Sequence, residues 1–401
     1  MTHSTSQQMR EWTGPAVFSF GFRPFFLFGA IWAAVAMVLW ILMLSGSVML
    51  PTRFDPMSWH AHEFLFGYLG AIIAGFLLTA VPNWTGRLPV VGWYLAAVFA
   101  LWMVGRVAVA TSALWPVGIA AGIDLAFPFV LGCVILREIV VGKNWRNLIV
   151  LALLAVFLLA NLIFHLEAER GELAAQGFGL RLGVATVVMM IAVIGGRVIP
   201  SFTRNWLVQR QATQLPVPPM QRFDKATLVA TVFGLGAWVA LPNEIITGEA
   251  LAIVGGLHIV RLLRWEGSQS YSEPLLSVLH LAYVFVPLGA LTLAGSLLWP
   301  ETVSIVAGQH LWMAGAFGLM TLAMMTRATL GHTGQTLRAG LGTLAIYVAL
   351  IISVFARLLA EFCTGHAMTL YTLSGMFWIG AFLGFAVIYG PCLMKPKPVR
   401  V

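Results

Sequence analysis

The stretch "SWHAHEFLFGYLG", Ser58 to Gly70, puts two histidines and a glutamate within four positions and then runs straight into apolar sequence. Three more histidines, His258, His280 and His310, also stand inside apolar blocks. A polar group in hydrocarbon costs a few kcal/mol even on the generous insertion scale, so each of these needs a partner. Imidazole ligates haem iron and suits copper equally. A hydrogen bond to a neighbouring helix is the competing reading for any single one; their number and depth favour metal ligation for the set. At about 1.5 Å per residue, His258 and His280 sit at nearly the same depth, roughly 18 Å from one boundary and 10 Å from the other, and His310 lies nearer the level of His60.

Helical spacing limits what these groups can share. His60 and His62 are about 200° apart on a helix, so they bind one ion only where the chain is extended and otherwise face different partners. His60 and Glu63 share a face, as do His280 and Tyr283. Glu63 is therefore a candidate to orient an imidazole or to carry protons. Tyr283 and Asp124 are further candidates for a proton path, although Asp124, alone in its block, can equally bond to a neighbouring helix. His165 and His366 at helix ends and His3 in the tail read as interfacial, where water or headgroups satisfy them. His332 is left open by position alone.

The elements that must hold these residues are membrane spans. Of 401 residues, 60% are hydrophobic and 9% charged, against roughly 45–50% and 25% in a soluble domain. The excess comes in blocks of about 20 residues, the length of a spanning helix and too long and uninterrupted for barrel strands. Blocks near residues 25–48, 58–81, 89–111, 114–138, 146–167, 176–200, 225–243, 246–263, 273–299, 303–326, 338–362 and 367–393 predict an all-α polytopic bundle of about twelve spans. The polar connection from Thr203 parts them into halves of about six with no evident sequence repeat, and residues 1–401 are expected to form a single membrane domain. The polar N-terminus lacks the pattern of a cleaved secretory signal and is expected to be retained.

Basic residues fall in alternate connections: Arg10 and Arg23, Arg87, then Arg137, Lys143 and Arg146, then Arg197 to Lys225, Arg261 and Arg264, Arg327 and Arg338, and the tail Lys395, Lys397 and Arg400. By the positive-inside rule both termini face the cytoplasm. The same distribution explains the net charge of +8 without a nucleic-acid partner, since no aromatic-interleaved basic patch exists. Cys133, Cys363 and Cys392 have no paired spacing and read as packing residues. At the cytoplasmic helix ends, "GFRPFF", "VPNWTGR", "GGRVIPSFTRN" and "TRATLGHTG" have the composition of dipole-compensating caps and interface anchors. The alternative is that Arg23, Arg197, Arg204 or Arg327 holds the propionates of a haem or another anion.

Taken in order, "GFRPFFL", "WHAHEFLFGY", "IAGFLLTAVPNWTG", "GGRVIPSFTRN", "LHLAYVFVPLG" and "TRATLGHTG" resemble the NnrS family of bacterial inner-membrane proteins, from about Phe20 to Ile388. The resemblance implies haem, taken as haem b, and copper within a polytopic membrane protein linked to nitric oxide and nitrosative stress in denitrifying or oxygen-limited bacteria. Its motif positions carry over as His60, His62, Glu63, His258, His280, His310 and His332. The histidines are metal ligands in this reading, His258, His280 and His310 also as haem ligands, with Glu63 and Tyr283 as catalytic groups. Haem-copper oxidases and nitric oxide reductases share the logic of helix-borne ligands, but their adjacent histidine pair is missing here.

The expected function is binding of nitric oxide and its reduction or detoxification, with electrons from an unidentified quinol or redox protein. The alternatives are a transporter for copper, haem or a nitrogen-containing metabolite, and a haem-based sensor without turnover.

Overall fold

The computed structural model describes residues 12–86 and 89–396. His3, Arg10, Arg87, Lys397 and Arg400 lie outside the described residues. Twelve helices among the described residues are long and apolar enough to cross a bilayer, and every predicted block corresponds to one. They are α1 Phe22–Leu44, α2 Pro56–Thr85, α3 Trp93–Ala110, α4 Ile119–Val141, α5 Trp145–Glu169, α6 Phe178–Gln209, α7 Arg222–Ala240, α8 Ile245–Leu263, α9 Pro274–Leu298, α10 Ile305–Thr333, α11 Leu341–Phe362 and α12 Thr364–Met394. The chain is a multi-pass membrane protein, and its exposed surface is correspondingly rich in Val, Leu, Ile and Phe.

The helices α2, α6 and α10 run to 30, 32 and 29 residues, longer than their apolar blocks. They continue past those blocks, so Arg197, Arg204 and Arg327, expected in connections, are helical residues. Arg261 departs further from expectation: it lies in α8, fully buried, on a carboxylate partner. It is a structural charge and not a marker of a cytoplasmic loop. The cysteines also differ from expectation, since Cys133 and Cys363 are exposed and Cys392 is only half-buried.

Chain contacts define two compact units. One comprises the residues up to Gly183 with Ala328–Thr336 and the segment from Phe382 onward. In it α1 packs on α2, α2 on α4, α3 on α4 and α4 on α5, around a core that includes Phe25, Leu77, Leu95, Trp102, Phe127 and Leu154. The other comprises Val184–Arg327 and Leu337–Ala381, where α7 packs on α8, α8 on α9, and α9 and α11 on α10.

Local sequence sets where α2 starts and where it loosens. Asp55 caps its N-terminus by accepting from the Ser58 amide at 2.9 Å, with Pro56 supplying a fixed first turn. Immediately after His62 the helix widens into a π turn, Glu63–Tyr68. Such a turn adds a residue and displaces carbonyls from their usual donors. The Gly67 carbonyl is taken up by the Trp102 indole of α3, Nε1 to O 2.9 Å. Two more π turns occur among the described residues, Ile191–Gly195 in α6 and Leu311–Gly318 in α10.

Trp102→Phe keeps an aromatic ring in the core and removes the donor to the Gly67 carbonyl. Leaving a buried acceptor unmade predicts a loss of about 1–3 kcal/mol in a detergent unfolding titration. Wild-type stability in that variant would show that the bond does not hold the π turn.

Candidate metal centre

Five helices of the first unit send polar side chains to one buried point. In α2 the consecutive residues His62 and Glu63 are both fully buried, and the π turn begins at Glu63. Glu63 Oε1 accepts from His62 Nδ1 at 3.0 Å and from Arg106 Nη1 of α3 at 2.6 Å, while Oε2 accepts from Trp32 Nε1 of α1 at 2.8 Å. Arg106 also pairs through Nη2 with Asp124 Oδ1 of α4. The other oxygen, Asp124 Oδ2, accepts from Asn161 Nδ2 at 2.8 Å and from His165 Nε2 at 3.1 Å, both on α5. Asn161 and His165 are four residues apart and so share a face.

These bonds fix the state of His62. Its Nδ1 must carry hydrogen, because it meets a carboxylate. Its Nε2 faces two acceptors, Asn161 Oδ1 at 3.0 Å and Asp124 Oδ2 at 3.2 Å. A cation belongs between those atoms, either a proton or a metal ion. Charge counting agrees: two carboxylates against one guanidinium leave the cluster one positive charge short, and a net charge in hydrocarbon is expensive.

Gly67 lets the guanidinium cross α2. A Cβ there would stand 2.6 Å from Arg106 Nη1 and 2.7 Å from Glu63 Oε2. On the next helix but one, Pro128 has no amide hydrogen to return to the carbonyl of Asp124, four residues before it. Both helices are thus irregular where they present charge.

The donor atoms suit a metal. His62, Asp124 and His165 each offer one ligand atom, all within 4.8 Å of one another and all buried. Donors about 2.0–2.1 Å from a tetrahedral ion lie roughly 3.3–3.4 Å apart, close to the 3.2 Å and 3.1 Å from Asp124 Oδ2 to the two imidazoles. Among the described residues this is the one group of three or more His, Cys, Asp and Glu side chains so placed. The chain belongs to the NnrS family. The family model, described as NnrS protein, matches residues 16–397, nearly the whole sequence, and the family is linked to the nitric oxide response. No curated protein matches the chain.

In this NnrS-family chain the predicted site residues divide into several places. His60 does not join His62; its ring stacks on Trp40 at 4.4 Å and lies against Phe64. Glu63 accordingly orients His62, not the His60 with which it shares an ideal helical face. His165, expected at an interface, is only 4% exposed and belongs to the centre. Asp124 is its hub. His332 rests against the rings of Phe20 and Phe22, at 5.5 and 5.4 Å. His366 is exposed.

A second polar cluster occupies the other unit. Arg261 donates through Nε to Asp224 Oδ1 at 2.8 Å, and through Nη1 to the Ala192 carbonyl in the α6 π turn at 2.7 Å and to Tyr283 Oη at 3.0 Å. Thr231 gives its hydroxyl hydrogen to the Thr227 carbonyl, so its oxygen accepts from His258 Nε2 at 2.9 Å. That leaves His258 Nδ1 to accept from the Tyr283 hydroxyl at 2.9 Å. Tyr283 is therefore the partner of His258, and His280 bonds elsewhere. By the same logic Thr203 donates to Ile199 O and accepts from His280 Nε2 at 2.9 Å, leaving the His280 Nδ1 lone pair buried without a hydrogen-bond partner. His310 donates Nδ1 to the Val306 carbonyl at 2.8 Å, which frees Nε2.

The arginines expected at an anion are differently engaged. Arg23 is buried and donates to the Leu393 and Lys395 carbonyls, at 3.0 and 2.6 Å, as a helix-end cap. Arg327 lies over the Phe202 ring at 4.2 Å, and Arg197 and Arg204 are exposed.

Arg106, Asn161 and Trp32 belong to none of the sequence motifs, and His165 reads from its position as interfacial. The available signal was complementarity: a lone arginine in one span and lone acids in two others must find each other. Arg106→Leu strands Glu63 and Asp124 together, and breaking such a buried pair predicts about 3–5 kcal/mol lost in detergent unfolding. Adding Glu63→Gln and Asp124→Asn should recover most of that. An Arg106→Leu protein as stable as wild type would contradict the network.

Proposed function

We propose that the protein is a copper- and haem-containing protein of the bacterial inner membrane, a single membrane domain with both termini cytoplasmic. In this reading it binds nitric oxide and reduces it, protecting the cell from nitrosative stress during denitrification or oxygen limitation. The observation that carries the reading is the buried His62–Asp124–His165 donor set in a chain of the NnrS family.

Copper would be held by His62 Nε2, Asp124 Oδ2 and His165 Nε2, the last once its hydrogen sits on Nδ1 and its bond to Asp124 is given up, with Asn161 Oδ1 facing the same point. Imidazole with carboxylate also suits zinc and iron. A cuprous ion would supply the single positive charge that balances Glu63 and Asp124 against Arg106, the charge that a proton on His62 supplies otherwise. Bound there, copper supplies a reducible centre with affinity for a diatomic ligand. The chain's own groups do the rest. Glu63 accepts the Nδ1 hydrogen of His62 and so keeps Nε2 turned to the ion. Arg106 holds both carboxylates in register, and the Phe54 and Phe164 rings, 5.2 and 5.5 Å from His62, exclude water.

A haem b would take His280 or His310 but not both at one iron, since Gly308 beside His310 packs on Leu293, thirteen residues along α9 from His280, roughly 20 Å at 1.5 Å per residue. At the His280 end Gly267 lies against the unbonded Nδ1 and would have to shift, and Arg197, Arg204 or Arg327 would hold the propionates. Ligation by His258 would require its bond to Thr231 to be given up, so we place His258 with Tyr283 as a proton-handling pair. Reduction of two nitric oxide molecules to nitrous oxide and water takes two electrons and two protons. The electrons come from a quinol or a separate redox protein.

Metal analysis of the purified protein tests this, with nitric oxide loss followed in the presence of reductant. The expectation is one copper per chain in wild type, a fall to below about a tenth of that in His62→Ala and Asp124→Ala, and nitric oxide loss that tracks copper content. Colourless wild-type protein free of copper and iron, or copper retained by both variants, would overturn it.

A further inference from the structure

A small cavity lies directly against the metal centre, between α2, α4 and α5. Its volume open to the centre of a water-sized sphere is about 10 Å³. A round cavity of that size has a radius of roughly 2.7 Å once the sphere's own radius is added. That exceeds the half-length of a diatomic molecule, about 2.1 Å with van der Waals radii included. Its walls are almost wholly apolar, with Phe66, Phe127, Leu131 and Phe157 among them, and among the described residues the polar groups lining it are Asp124 and Asn161.

Those two groups have little left to offer a water molecule. Asp124 Oδ1 is taken by Arg106, and Oδ2 lies within bonding distance of three nitrogens, on His62, Asn161 and His165. Asn161 spends its oxygen on His62 and one amide hydrogen on Asp124. A buried water needs two to four polar partners, and an apolar cavity of this size without them stays dry. The space is thus unsuited to water and fits a small apolar molecule, one wall away from the cation position.

We propose that this cavity is a docking pocket for a neutral diatomic gas on its way to the metal. Gas in the pocket would meet Asp124 and Asn161, the groups that border the ion, so the pocket raises the local concentration of a sparingly soluble reactant at the centre. The assignment rests on the proposed function for its purpose, though not for its chemistry: a dry cavity binds apolar gas whether or not the ion is present.

Gly70 supplies the means to test it. It lines the cavity, and a Cβ there would meet only Phe157 Cε1, at 3.9 Å. Gly70→Val therefore projects methyl groups into the space without striking backbone. Xenon is the probe for the pocket, located by diffraction or cryo-electron microscopy of pressurised protein. Xenon between α2, α4 and α5 in wild type, with or without copper, and absent from Gly70→Val, is the expected result. In the copper-loaded, reduced proteins, nitric oxide association should slow about tenfold in Gly70→Val at equal copper content. Should that variant fail to fold, Leu131→Phe serves the same comparison, and wild-type xenon binding decides alone. An ordered water in the pocket, no xenon, or equal association rates in the filled variant would overturn the proposal. Wild type that binds xenon yet never binds nitric oxide would overturn the proposed function and leave the gas pocket standing.

Discussion

The Arg106 guanidinium lies between Glu63 and Asp124 with its charge fully buried, and much of the first unit is arranged so that it can. Three charges from three helices are tolerable in hydrocarbon only because each is paired with and hydrogen-bonded by another. The same requirement leaves a residual negative charge facing His62 Nε2. The cation position is thus a product of the way the buried charges are balanced. That account ties stability and chemistry to the same residues: changing Arg106 alters the fold and the ion site together.

Helix irregularity is the means by which regular spans present these groups. A π turn follows His62 directly, Gly67 lets the guanidinium pass, and Pro128 loosens α4 at Asp124. Related devices recur in the second unit. Arg261 bonds to the carbonyl of Ala192 within a π turn and pairs with Asp224, whose other oxygen caps α7 by accepting from the Gln221 amide at 3.1 Å. His310, like His62, immediately precedes a π turn. The three π turns fall in α2, α6 and α10, four helices apart along the chain. Such turns frequently mark functional positions, and two of these three follow a histidine.

The spans were fully legible from the sequence, because apolar blocks of bilayer length leave little choice of fold. The Ser58–Gly70 histidine motif and the family resemblance were legible too. What periodicity could not give was the pairing across helices. An ideal 3.6-residue helix sets Glu63 beneath His60, whereas in the structure its carboxylate bonds to His62. His165 stands near the end of its span and reads as interfacial, yet α5 carries it inward beside Asn161, where Asp124 receives both. Arg261 is a similar case: a basic residue near a span end counts as a loop charge until its buried acid, Asp224, is seen. Depth along one helix is a poor guide to which neighbour a side chain meets.

The most direct test of the central claim is the copper K-edge X-ray absorption spectrum of the purified, reduced protein, compared between wild type and His165→Ala. The account predicts nitrogen and oxygen scatterers near about 2 Å with the outer-shell pattern of two imidazoles, reduced to one in the variant. Sulfur scattering near about 2.3 Å, or an imidazole pattern unchanged by loss of His165, would contradict it.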